Sequence, residues 1–160
     1  MMRRFINLVT ELDQTTSTAN KVRLLVDYLS QETEEKDKLW MVALFTGKKP
    51  QKTVSTSLLR TWCIEQAGIS LWLFEQNYHI IGDMAETMAL ILPRSESPSD
   101  KPLHLWMADI RGMSDTTEAK KKEFITNAWS VLDTPSIWVF NKLLTGGFRL
   151  GVTKSLMTQA

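Results

Sequence analysis

"LLTGGFRLGVTKSL" at residues 143–156 has an earlier counterpart in "LFTGKKPQKTVSTSLL" at residues 44–59. Both place Thr-Gly after an apolar pair, continue through a basic stretch, and resume with valine, hydroxyl or basic side chains and leucine. Trp40 precedes Thr46 by six residues and Trp138 precedes Thr145 by seven. This spacing points to a duplicated unit: a helix, a Thr-Gly turn, a basic segment and a Ser/Thr-rich helix start.

The surrounding sequence is helical in its periodicity. "RRFINLVTEL" (3–12) puts Phe5, Leu8, Val9 and Leu12 on one face, and "NKVRLLVDYLSQ" (20–31) does the same with Val22, Leu25, Tyr28 and Leu29. Asp83 with Glu86 and Asp115 with Glu118 have capping-box spacing, and Pro93 closes the first of these helices. Thr134-Pro135 reads as a cap followed by proline at the first helical position, and Gly68 as a helix C-cap. No stretch sustains period-2 alternation. The expectation is an all-α fold of about ten helices, a single domain over 1–160. Its two pseudo-twofold-related halves, roughly 1–92 and 103–160, are joined by the polar loop 93–102, "PRSESPSDKP".

A chain of 160 residues, 43% hydrophobic with six Trp, has enough apolar material for a core. Its apolar runs fall short of a membrane span, and "MMRRFINLVTELDQ" lacks a signal-peptide core and cleavage site, so a cytoplasmic location is expected. Cys63, the one cysteine, reads as a small buried thiol.

The net charge of +1 conceals an uneven distribution. Lys38–Ile64 contains no Asp or Glu and carries five basic residues; Thr134–Ala160 contains none and carries three. The remainder has 11 basic and 18 acidic residues, a balance of −7. Both acid-free stretches contain the repeat, which favours a polyanion-binding surface over an ordinary solvated face. The chemistry agrees. Amides at a helix N-terminus carry the positive end of the helix dipole, hydroxyls add donors, and glycine admits close backbone approach to a phosphate. Two such sites in approximate twofold relation suit a ligand with its own pseudo-twofold axis, such as a DNA duplex. The residues themselves leave open a purely architectural repeat, a relic of duplication.

Four segments carry a resemblance: "FINLVTELDQTTSTANKVRLLVDYL" (5–29), "LWMVALFTGKKP" (39–50), "YHIIGDMAETMALILP" (78–93) and above all "FNKLLTGGFRLGVTKSLMTQA" (140–160). Together they resemble the N-terminal DNA-binding domain of ATP-dependent DNA ligases, in its bacterial version of the archaeal and eukaryotic replicative type. The resemblance covers essentially the whole chain in order. It implies an all-α domain of two pseudo-symmetric halves that grips nicked double-stranded DNA across the minor groove, through sugar-phosphate contacts on both sides of the nick, for repair and replication. Partners implied are that DNA and the ligase's own catalytic domains, with the chain a monomer, cytoplasmic and nucleoid-associated when bound.

Position by position, the resemblance assigns a first phosphate site to Gly47, Lys48, Lys49 and Lys52, with Ser55 and Ser57 at the following helix. The second falls on Gly146, Gly147, Arg149, Gly151, Thr153 and Lys154. In "TTSTANK" (15–21), Thr16 or Thr18 is a candidate cap and Lys21 a third phosphate contact; a cap with a solvated lysine accounts for them equally well. The first copy lacks the second glycine of "LLTGGF", so the two sites are not expected to be chemically equivalent.

Ligases of this type carry a Lys-x-Asp-Gly motif whose lysine attacks ATP. No lysine here has Asp two places on followed by Gly. The resemblance therefore implies a separated, non-catalytic domain, with ATP and magnesium belonging to the nucleotidyltransferase and OB-fold parts of a full-length ligase and no cofactor in this one. His79 and His104 have no partners at metal-ligand spacing, and Asp83 with Glu86 reads as a cap rather than an acid-base pair. Most tryptophans are expected in the core, with one or two exposed ones free to abut a partner. Two other classes stay open. A helical protein-interaction module predicts no salt-dependent DNA binding. A helix-hairpin-helix repair protein fits poorly, because too many residues separate the glycines of 143–156 from the next helix.

Overall fold

The computed structural model describes residues 2–46, 54–96, 98–145 and 157–158. Among these, all regular structure is helical, with nine helices against the expected ten or so: α1 (Arg3–Gln14), α2 (Thr18–Gln31), α3 (Glu35–Phe45), α4 (Thr56–Ala67), α5 (Leu71–Ile81), α6 (Met84–Ile91), α7 (Leu103–Met113), α8 (Glu118–Ser130) and α9 (Thr134–Thr145).

The expected apolar faces are buried ones. Phe5, Leu8, Val9 and Leu12 are in the core, as are Leu25 and Tyr28, with Val22 and Leu29 packed against them. Gly68 does end α4, at φ 69°, the left-handed conformation that costs glycine nothing. Asp83 caps α6 by accepting the Glu86 amide at 3.2 Å. Three other caps sit one or two residues from their expected places, because the side chain that wins is the one whose oxygen reaches the orphan amide of the third residue on. Thr117, not Asp115, caps α8 through the Lys120 amide. Asp133, not Thr134, caps α9 through the Ser136 amide. Ser17, not Thr16 or Thr18, caps α2 through the Asn20 amide.

Helices from the two sides of loop 93–102 pack on one another: α7 on α3, α8 on α4, and α9 on α6 and α1. All nine contribute to one continuous apolar cluster. The loop itself is pinned, since the Ser95 and Ser99 amides donate to the carbonyls of Leu132 and Val131 at the end of α8. Trp62, Trp106 and Trp129 are core residues, Trp40 and Trp138 are half-buried, and Trp72 is 68% exposed. Cys63 is buried, and that burial pushes its thiol up to about 12.

Asp133 links this packing to pH. Its partial burial would raise the carboxyl's pKa, but hydrogen bonds from the Ser136 hydroxyl, the Arg3 guanidinium at 2.7 Å and the Ser136 amide outweigh that and hold it below its ordinary value. The folded chain therefore takes up this proton less readily than the unfolded one. The stabilisation is complete above the unfolded value near pH ~4 and is lost as pH falls below it. Asp133→Asn is expected to flatten the fall in urea midpoint between pH 5 and pH 3. An unchanged slope would show that this contact contributes nothing.

Candidate nucleic-acid interface

The two Thr-Gly copies begin alike in three dimensions. Thr46 ends α3 with its hydroxyl donating to the Val42 carbonyl at 2.7 Å, and Thr145 ends α9 with its hydroxyl donating to the Asn141 carbonyl at 3.0 Å. Such back-bonding occupies a last-turn carbonyl and holds the chain's exit direction. Each copy's tryptophan is half-buried beneath a cation: Arg111 lies 5.7 Å from the Trp40 ring centre and Lys142 lies 5.2 Å from that of Trp138.

The first copy resumes at Val54, which is buried, and Ser55. Ser55 is the N-cap of α4, its oxygen accepting the Leu58 amide at 3.2 Å while its hydroxyl proton remains available to an acceptor. Ser57 is exposed on the first turn of α4. The Ser/Thr-rich helix start expected after the basic stretch is thus present. Gly47, Lys48, Lys49 and Lys52 of the first site, and Gly146, Gly147, Arg149, Gly151, Thr153 and Lys154 of the second, lie outside the described residues. Thr18 is exposed at the first position of α2, and Lys21, half-buried one turn on, donates its amide to the Ser17 carbonyl.

A run free of carboxylates in sequence is not free of them in space. Asp83 serves three groups: besides capping α6, it accepts the Trp138 indole N–H at 3.3 Å and stands 3.8 Å from the Lys142 ammonium. One of the three cations in Thr134–Ala160 is therefore balanced by an acid 59 residues away in the chain. No local pattern announces this contact.

The other pairing invisible to sequence reading joins α3 and α7. Asp37, only 1% exposed, accepts both the backbone amide of His104 at 2.8 Å and a hydrogen bond with its ring Nδ1 at 2.6 Å. The N-cap position of α7 is Pro102, whose ring has no hydrogen-bonding group, so Asp37 supplies the cap from another helix. His104 has a structural role here. Among the described residues no group of three or more His, Cys, Asp or Glu side chains is placed to hold a metal, and no helix is long and apolar enough to cross a membrane.

A search of curated proteins finds no match. The family model described as DNA ligase N terminus matches residues 1–160, the full length of the chain. That match spans the all-helical fold, both Thr-terminated helices and both basic segments, and it concerns the part of a ligase that precedes the nucleotidyltransferase domain. The chain belongs to the family of N-terminal domains of ATP-dependent DNA ligases.

Proposed function

We propose that this chain is a single domain that grips nicked duplex DNA by its sugar-phosphate backbone, without reading sequence, and positions it for sealing by the ATP- and magnesium-dependent parts of a bacterial ligase in repair and replication. The observation that carries the reading is the recurrence, within a ligase N-terminal family member, of a helix ending on a back-bonded threonine and leading into a carboxylate-free basic segment. Gly47, Lys48, Lys49, Lys52, Ser55 and Ser57 form one grip. Gly146, Gly147, Arg149, Gly151, Thr153 and Lys154 form the other, with Thr18 and Lys21 as an auxiliary contact. The halves 1–92 and 103–160 each contribute one grip, and the chain acts as a cytoplasmic monomer.

Groups aimed at phosphates make binding salt-dependent and sequence-blind. Neutralising ~4–6 phosphates gives a log-log salt slope of about −4 to −5. Fluorescence anisotropy with nicked and intact duplexes of two unrelated sequences, at two salt concentrations, measures it; a flat salt response or strong sequence preference would falsify the reading. Lys49→Ala and Arg149→Ala are each expected to weaken binding and reduce the slope by about one, and their double variant to lose nearly the sum of the two free energies. If a folded Arg149→Ala chain binds like the parent, the second copy is architectural.

The missing Lys-x-Asp-Gly motif leads to a separate expectation. Incubation of the chain with labelled ATP and magnesium leaves no covalent adenylate, read by gel autoradiography. Labelling of any lysine would overturn the assignment of catalysis to the other domains.

A further inference from the structure

We propose that the groove between α3 and α7 is a docking site for an acidic amphipathic helix of a partner polypeptide. The groove encloses about 480 Å³ and its floor is apolar: Trp40 and Ala43 from α3, Ala108 from α7. Leu39 and Leu105 stand on its two walls at 69% and 44% exposure, lining one groove together rather than scattered singly.

Its charge is one-sided. Lys36 and Arg111, both exposed, line it, and no carboxylate does so among the described residues. Of the two acids on α3, Asp37 is buried and committed to His104, and Glu35 is exposed at the helix start outside the lining. In a chain whose charges otherwise nearly balance, this gives the groove a local positive sign. Such a patch attracts an acidic partner and repels a basic one.

The site is also preorganised. Asp37 ties the start of α7 to α3, and Arg111 lies over the Trp40 ring, so little ordering is needed on binding. Trp and Arg together at the centre of an apolar patch are the residue types that dominate binding energy in interfaces. The α3 wall from Lys36 to Ala43 runs for ~10 Å, two turns of helix, which matches a partner presenting apolar anchors at i, i+3, i+4 and i+7. A phosphate backbone would leave Leu39 and Leu105 facing charged oxygens. A second copy of this chain is also poorly matched, because its most exposed apolar helix, α5, carries a single acid, Glu75.

The test uses the 160-residue chain and three fluorescein-labelled 14-residue peptides with Leu, Phe or Trp at the four anchor positions and Glu at most others, plus lysine-for-glutamate counterparts. At least one acidic peptide is expected to bind saturably below 1 mM, and its lysine counterpart at least tenfold more weakly. Leu39→Glu and Leu105→Glu, both at exposed positions and checked by circular dichroism, are each expected to weaken the acidic peptide at least tenfold while duplex affinity is unchanged. The proposal is overturned if no acidic peptide binds, or if both folded variants bind it as the parent does. It is equally overturned if Leu39→Glu abolishes duplex binding, which would assign the groove to DNA, or if sedimentation shows a dimer that Leu39→Glu dissociates, which would assign it to a second copy.

Discussion

Asn141→Leu is expected to lower the unfolding free energy by about 3–4 kcal/mol. Asn141 is 0% exposed in α9, where its side-chain oxygen accepts the Trp129 indole N–H from α8 at 2.8 Å and its amide donates to the Ala85 carbonyl of α6 at 3.3 Å. Leucine keeps the branching but is larger and makes neither bond. The Trp129 indole N–H is then orphaned, at about 1–3 kcal/mol, while the Ala85 carbonyl lies inside α6 and keeps an intrahelical partner; forcing the larger side chain into a packed site adds about 1–3 kcal/mol, which leucine's hydrophobicity offsets only in part. For a chain of this size each kcal/mol moves Tm by ~2–4 °C, so a drop of roughly 10 °C follows. Urea unfolding with an unchanged m-value tests it. A loss under 1 kcal/mol would mean the three helices repack around the substitution.

Asp37→Ala comes next, with an expected loss of about 2–4 kcal/mol. The substitution removes the acceptor for the His104 amide and ring, and with it the side-chain cap at the start of α7. Asp37→Asn keeps an oxygen for the amide but not the charge, and is expected to recover about half of the loss. His104→Ala leaves the amide bond intact and costs less than Asp37→Ala. A double-mutant cycle between Asp37 and His104 gives a coupling of about 1–2 kcal/mol if the ring contact matters, and zero if Asp37 acts through the backbone alone.

These two positions show what a reading of residues misses. Asn141 sits among apolar neighbours and Asp37 in a charged helix start; neither has a partner within reach of a local motif. The partners Trp129, Ala85 and His104 are 12, 56 and 67 residues away. The α3–α7 groove is likewise invisible in sequence, where Leu39 and Leu105 look like two more core residues of amphipathic helices. Helix α5 makes the same point: its seven apolar and aromatic positions, Leu71, Trp72, Leu73, Phe74, Tyr78, Ile80 and Ile81, suggest burial, yet only Phe74 is buried.

Sequence by itself determined the helical class, the burial of the α1 and α2 faces, the Gly68 and Asp83 caps and the recurrence of Thr-Gly before a basic segment. Each depends on interactions within about four residues along one chain, or on composition, and those are fully written in local order. Tertiary structure alone decided that Asp37 caps α7 from another helix, that Asp83 draws Trp138 and Lys142 toward α6, and that helices on either side of loop 93–102 share one core. A hydrogen bond or ion pair acts over a few ångströms, so its partner is chosen by how the helices pack, and residue spacing along the chain carries no record of that choice.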